Sequence, residues 1–140
     1  MADQVVSITA TNPYMDRSGD NVITIEWTSA TGGAVSCNIA STYAGALPDY
    51  AAKPTKITGF LRAVETDPDG TTAPSADYDI ELNDPNGYDI VDGNLADRSD
   101  TDTEVVVPTS PIYCDFEIAL AITNAGDEKK GVVKLFLAND

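Results

Sequence analysis

Residues 78–90, YDIELNDPNGYDI, give the clearest indication of the fold. From Tyr78 to Leu82, apolar residues alternate with acidic ones, which is typical of a strand that has one face in a core and the other in solvent. The next four residues, Asp-Pro-Asn-Gly at 84–87, have Pro at the second and Gly at the fourth position, as a type I turn prefers. We therefore predict a strand, a tight turn and a short returning segment.

The same two-residue period recurs on both sides of this stretch. The other alternating runs are Val6 to Ala10, Ile23 to Trp27, Val35 to Ile39, Phe116 to Ile122 and Val133 to Leu137, and two further strands are predicted at Ile57 to Val64 and at Glu104 to Val107, which Pro108 ends. Such short strands, without a convincing amphipathic helix, predict an all-β fold: an antiparallel β-sandwich of about eight strands, with a small β-barrel as the alternative. We expect one hairpin through the turn at 29–33 and another through the polar loop at 124–131.

The length of the chain limits it to one core. A chain of 140 residues fits one domain, and we predict a single β-sandwich domain over residues 15–140. Residues 1–14 are predicted to form an N-terminal strand or docking arm, because their apolar residues would be costly to expose and could add a strand to a partner's sheet. Residues 41–54 follow neither period and are expected to form a long excursion with room for one helical turn.

The charge balance excludes some partners. The chain has 23 acidic and 8 basic residues, a formal net charge of −15, and one stretch from Glu65 to Glu104 holds 13 acids but only one base, Arg98. Because a nucleic-acid surface needs clustered Lys and Arg, we expect no nucleic-acid partner. No apolar run approaches the roughly 20 residues of a membrane-spanning helix, so we expect no membrane partner. The acidic stretch is either a solvated rim or a field that steers a basic partner or a cation.

The residues that most often carry catalysis are scarce. Histidine is absent, and most enzyme chemistry near pH 7 uses an imidazole as base, shuttle or metal ligand. We predict that the protein is not an enzyme and has no cofactor. Cys37 and Cys114 share strand parity with core residues and are expected to be buried free thiols, with a disulfide between neighbouring strands as the alternative.

Two acidic loops are weak candidates for calcium. Asp67 and Asp69 stand before Gly70, and Asp92 and Asp97 lie in the next acidic loop. Calcium takes carboxylate and carbonyl oxygens from loops, but neither loop has the full Asp-x-Asp-x-Asp-Gly spacing. Because ordinary turns also demand Asp and Asn before Gly, we favour a structural role for these residues.

Apolar and aromatic residues outside the clearest strands are candidates for binding a partner protein. Tyrosines at strand ends commonly plug the mouth of a sandwich or meet a protein partner, and apolar residues of an arm dock by strand addition. A platform of flat rings for a saccharide is the alternative reading of the tyrosines. The predicted partner-binding residues are Val5, Val6, Ile8, Tyr14, Tyr43 and Tyr50.

Four stretches resemble small β-rich proteins of tailed bacteriophages and prophages. They are ITGFLRAV at 57–64, SADYDIEL at 75–82, the pair Asp89-Ile90, and NAGDEKKGVVKL at 124–135. The resemblance covers roughly residues 20–137, and leaves residues 5–14 and 41–54 unmatched. It implies a virion structural protein of the capsid cement or decoration type, commonly trimeric on the shell.

On this basis we predict a subunit that stabilises a phage shell by bridging neighbouring major capsid proteins. Its partners would be the major capsid protein and further copies of itself, with a trimer favoured. It would be made in the host bacterial cytoplasm and located in the virion. The alternatives are a phage tail or tail-tip structural module and a carbohydrate-binding β-sandwich module.

Overall fold

The computed structural model describes residues 2–139, which form nine strands and one short helix. The elements are β1 (Val5–Ala10), β2 (Asn21–Thr28), β3 (Val35–Asn38), α1 (Ile39–Gly45), β4 (Ile57–Pro68), β5 (Asp79–Asn83), β6 (Glu104–Val106), β7 (Ile112–Phe116), β8 (Ala119–Thr123) and β9 (Lys130–Ala138). Sheet A has the order β1-β2-β9-β4, with β6 and β7 both paired to the far side of β4, and sheet B has the order β3-β8-β5. The sheets are antiparallel and do not close, which confirms the predicted sandwich over the barrel.

The core lies between the two sheets and follows the predicted alternation. Ile23, Ile25 and Trp27 of β2 are all buried. The ring of Trp27 in sheet A meets that of Tyr78, at the start of β5 in sheet B, with centroids 5.8 Å apart. Gly131 of β9 makes room for this indole, because an added Cβ would lie 2.6 Å from Cζ2 of Trp27. A small residue is therefore required under the tryptophan.

Both predicted hairpins are wrong. Strand β2 pairs with β1 and β9 whereas β3 pairs with β8, and β8 in turn belongs to sheet B whereas β9 belongs to sheet A. Each predicted turn therefore carries the chain from one sheet to the other. Ser29 joins the two crossings, since its hydroxyl donates to the carbonyl of Gly126 at 2.6 Å and accepts from the N–H of Lys129 at 2.9 Å. Alternation shows which face of a strand is buried, but it does not identify the neighbouring strand.

The predicted run from Phe116 to Ile122 is interrupted, because the chain crosses between sheets there. Strand β7 ends in sheet A and β8 begins in sheet B. At the crossing, the carboxylate of Glu117 accepts the N–H groups of Ala40 at 2.7 Å and Ser41 at 3.1 Å, at the start of α1. The helix begins at Ile39, which was predicted to end the third strand. It continues into the first part of residues 41–54, where one helical turn was allowed for, and ends at Gly45.

Two local predictions are confirmed. The turn at 84–87 is present, with the N–H of Gly87 donating to the carbonyl of Asp84 at 2.9 Å. Cys37 and Cys114 are both free thiols as predicted, but only Cys114 is buried, whereas Cys37 is half-buried. Burial raises the pKa of Cys114 to about 12.

The chain covers most of its own sheet edges. Residues 88–98 run along the edge of β5 that does not pair with β8, where the N–H of Arg98 donates to the carbonyl of Tyr78 at 2.7 Å. The side-chain amide of Gln4 pairs with β3, accepting the N–H of Ser36 at 2.8 Å and donating to its carbonyl at 2.7 Å. Helix α1 contacts both β1 and β3. The edge formed by β6 and β7 is interrupted by residues 107–111, which include two prolines, so strand addition there is discouraged.

Candidate functional site

The outer face of sheet A carries much of the exposed apolar surface. Residues 2–139 include seven exposed large hydrophobic residues, and four of them lie on or beside this face: Val5, Val105, Val107 and Tyr113. The strand register places its outward side chains in rows that cross the sheet. One row contains Ser7, Glu26, Val132 and Asp67, and the next contains Thr9, Thr24, Lys134, Glu65 and Val105. The face therefore has two ends of different chemistry.

The first end, which we call the apolar end, comprises Phe60, Ala63, Val105, Tyr113 and Phe136. Phe60 pairs with Tyr113 across β4 and β7, and their ring centroids are 5.1 Å apart. Ala63 pairs with Phe136 across β4 and β9. Tyr113 is 52% and Val105 56% exposed. Clustered aromatic and branched side chains on a flat sheet are typical of a surface that another protein covers.

The second end is a groove of about 660 Å³, which we call the acidic groove. Its main lining residues are Val5, Ser7, Glu26, Thr28, Asp67, Asp69, Lys130 and Val132. Strands β2 and β9 form the floor, β1 forms one wall, and the turn after β4 forms the other. That turn is held by the N–H of Lys130, which donates to the carbonyl of Thr72 at 2.9 Å.

The three carboxylates of the acidic groove differ in their partners. The N–H groups of Thr72 and Thr71 donate to Asp69 at 2.7 and 3.1 Å, and they hold the pKa of this carboxyl below its usual value. Asp67 accepts the hydroxyl of Thr103 at 2.9 Å. Within residues 2–139, Glu26 makes no side-chain hydrogen bond or ion pair with another residue. The groove therefore contains a carboxylate without an internal partner.

Charges near the apolar end are paired. Nζ of Lys134 lies 3.7 Å from the carboxylate of Glu65. Nζ of Lys56 lies 2.9 Å from the carboxylate of Asp115, an ion pair that raises the pKa of the lysine and lowers that of the aspartate. These exposed pairs contribute little to stability. Each of these two pairs is neutral as a whole.

The outer face of sheet B has a different composition. One row there is Ser36, Ala121 and Glu81, and the next is Asn38, Ala119 and Asn83. The side chains along β3 and β8 are small. This face carries none of the exposed large hydrophobic residues.

Several acids around sheet B accept backbone N–H groups. Asp89 accepts the N–H groups of Leu82, Val91 and Gly93 at 3.2, 3.3 and 2.9 Å. Asp79 accepts the N–H of Asp97 at 3.0 Å. Asp89 thus holds a local turn, whereas Asp79 holds a residue 18 positions later in the chain against β5.

The calcium candidates do not come together. Asp67 and Asp69 line the acidic groove, whereas Asp92 and Asp97 lie exposed in the segment that follows β5. Asp92 and Asp97 both have positive φ, 52° and 54°, as turn residues do. Among residues 2–139, no group of three His, Cys, Asp or Glu side chains is arranged to hold a metal ion.

The predicted partner-binding residues are dispersed. Val5 is 61% exposed and lines the acidic groove, whereas Val6 and Ile8 face inward and pack against the core. Tyr14 lies under the guanidinium of Arg17, 4.5 Å from its ring centroid, and Tyr50 is 92% exposed.

The prediction that Tyr43 lies in or beside a loop, available to a partner, is wrong. Tyr43 is in α1 and only 8% exposed, because this side of the helix packs on the core. The predictions for the other five partner-binding residues remain untested.

Sequence reasoning missed Phe60 and Phe136 of the apolar end. Phe60 falls between the buried residues Ile57 and Leu61, and Phe136 falls between Leu135 and Leu137. Both are therefore out of phase with the core pattern. A large aromatic residue in the solvent phase of a strand was the available signal.

Within the described part of the chain, no helix is long and apolar enough to cross a membrane. No protein-family model, no curated protein and no solved structure matches the chain. The fold and the face described above therefore define the class: an antiparallel β-sandwich with a two-ended outer surface on its larger sheet.

Proposed function

We propose that the protein is a virion structural protein of a tailed phage, a cement or decoration subunit that bridges neighbouring major capsid proteins. The observation that carries the binding role is the apolar end of sheet A. The assignment to a phage shell comes from the sequence resemblance, and the partners and the virion location are part of the same proposal.

The apolar end supports a binding role because of where its side chains lie. They project from a sheet whose inner face is packed in the core, so they are held in place before a partner arrives. Little side-chain or backbone order is then lost on binding, which is the main cost of forming an interface. Aromatic residues such as Tyr113 and Phe60 supply large contact areas at interface centres.

The covered edges support contact through a face. An open edge would invite pairing with any extended chain. Here Gln4, α1, residues 88–98 and the prolines near β7 obstruct such pairing. A subunit that repeats on a lattice needs defined surfaces of this kind.

The test is the content and reassembly of virions grown from the genome that encodes the chain. We expect many copies per particle, in fixed ratio to the major capsid protein, and tight binding of purified protein to particles that lack it. Tyr113→Asp should weaken this binding by about tenfold or more, the loss typical of an interface centre. Tyr88→Asp, at a tyrosine that is 58% exposed and lies outside sheet A, is the matched control.

Other outcomes would redirect the proposal. A few copies per virion, fractionating with tails, would support the tail module instead. Absence from virions would reject the proposal in both forms.

A further inference from the structure

We infer that the acidic groove binds a Lys or Arg side chain on an extended segment of a partner protein, whose apolar side chains lie on the apolar end. Only the identity of that partner as a shell subunit rests on the proposed function. The chemistry of the segment follows from the face itself.

The geometry of the face fits an extended segment. The groove has a volume of about 660 Å³, enough for a long side chain. On the outer face of sheet A, the row of side chains that contains Glu26 and Val132 is separated by one intervening row from the row that contains Ala63 and Phe136. Two rows correspond to four residues along a strand, about 13 Å. A segment with a basic residue and an apolar residue four positions apart therefore reaches both ends.

The charges favour a cationic side chain in the groove. Glu26 makes no side-chain hydrogen bond or ion pair within residues 2–139, and Asp69 is held ionised by two backbone N–H groups. Asp67 accepts only a neutral hydroxyl. Lys130 is the one basic residue among the lining side chains, against three carboxylates. A Lys or Arg gains attraction here that the paired charges of the apolar end do not offer.

A second copy of the chain is the less suitable occupant. Each copy carries a formal charge of −15, so association brings two strongly negative molecules together. A partner segment that is basic and apolar complements both ends of the face.

The direct test uses isotope-labelled protein and capped seven-residue peptides. One peptide has Arg at the first position, Leu at the fifth and seventh, and Ser elsewhere; a second reverses the order, and a third has Glu in place of Arg. We expect the Arg peptides to shift the amide signals of Ser7, Glu26 and Val132, and the Glu peptide to leave them unchanged. Shifts confined to residues 84–103, or none, would overturn the inference.

A pair of variants separates the groove from the general negative field. Glu26→Lys should weaken binding of the Arg peptides roughly tenfold, as loss of one specific charge pair does. Glu81→Lys makes the same change of charge on the exposed face of sheet B and should leave binding within about twofold. Equal losses in both variants would mean that only net charge matters, and would overturn the inference.

The same experiments separate this inference from the proposed function. If the chain is absent from virions but the Arg peptides bind the groove, the proposed function fails and the groove assignment stands. If the chain is in virions but Glu26→Lys binds peptides and shells as the parent does, only the groove assignment fails. Self-association of the free protein that Glu26→Lys abolishes would replace the partner segment with a second copy and overturn the inference.

Discussion

The outer faces of the two sheets come from the same alternating pattern but present different chemistry. Sheet A carries Phe60 and Tyr113 at one end and an acidic groove with Glu26 at the other. Sheet B presents small side chains, and acids such as Asp89 beside it accept backbone N–H groups. The chain is strongly acidic, but its carboxylates differ in the groups they contact. Asp89 beside sheet B and Asp69 in the acidic groove accept backbone N–H groups, whereas Glu26 on sheet A has no side-chain partner within residues 2–139.

The largest expected effect comes from breaking the contact between the sheets. Tyr78 is fully buried and its ring meets Trp27 of the opposite sheet. Tyr78→Ala removes a large core side chain and should lower the free energy of unfolding by about 3 to 5 kcal/mol. Chemical denaturation followed by tryptophan fluorescence measures this change.

Tyr88→Ala is the control for that experiment. Tyr88 is 58% exposed, so its loss should change the stability by less than about 0.5 kcal/mol. Similar losses for the two tyrosines would show that the sheets do not share one core, and each face would then have to be considered alone.

Alkaline pH should weaken both sheets through one buried group in each. Burial raises the pKa of Tyr78 from 10.0 to about 12, and that of Cys114 in β7 from 9.0 to about 12. The folded chain thus keeps both protons to a higher pH than the unfolded chain. Their contribution is complete below about pH 9 and is lost as the pH rises toward 12.

The loss should amount to roughly 3 kcal/mol for Tyr78 alone, since one pKa unit corresponds to about 1.4 kcal/mol. Denaturation curves collected from pH 8 to 12 measure it. Tyr78→Phe should show a smaller fall than the parent protein over this range. An unchanged fall in that variant would mean that other groups cause the alkaline loss.

A pair of acid-to-alanine variants tests the difference between the faces directly. Asp89→Ala leaves three backbone N–H groups without their acceptor and should cost about 1 to 2 kcal/mol. Glu26→Ala should change stability by less than about 0.5 kcal/mol, yet weaken binding of the Arg peptides. The opposite ranking in thermal unfolding would contradict the assignment of structural acids to sheet B.

Periodicity was sufficient to predict the fold class but not the pairing of the strands. Ile23, Ile25 and Trp27 are buried as their spacing indicates, because the alternating period of a strand directly sets its faces. The prediction of the two hairpins was wrong because both sheets bury the same kinds of residue. The alternation of apolar and polar residues is therefore the same whether the next strand pairs in the same sheet or crosses to the other sheet. Strand β9 lies between β2 and β4, which are distant in sequence.

The acidic groove could not be predicted from the sequence for a related reason. The acidic groove draws on β1, β2, β9 and the end of β4, which only the sheet order brings together. The apolar end had a readable signal, because Phe60 and Phe136 are out of phase with the core residues around them. The acidic stretch was visible, but its division into turn-forming and free carboxylates depends on contacts such as those of Asp89.

The smallest expected effect concerns Gln4, whose side chain connects the start of sheet A to the edge of sheet B. Gln4 precedes β1 of sheet A, and its amide replaces the missing neighbour of β3 in sheet B through two hydrogen bonds with Ser36. These bonds are exposed, so Gln4→Ala should cost only about 1 kcal/mol. It should nevertheless speed hydrogen exchange at the amide of Ser36. Gln4→Glu should act similarly, because a carboxylate cannot donate to the carbonyl of Ser36. Ser7→Ala on the outer face of β1 is the control, and unchanged exchange in both Gln4 variants would show that the edge of β3 is protected by something else.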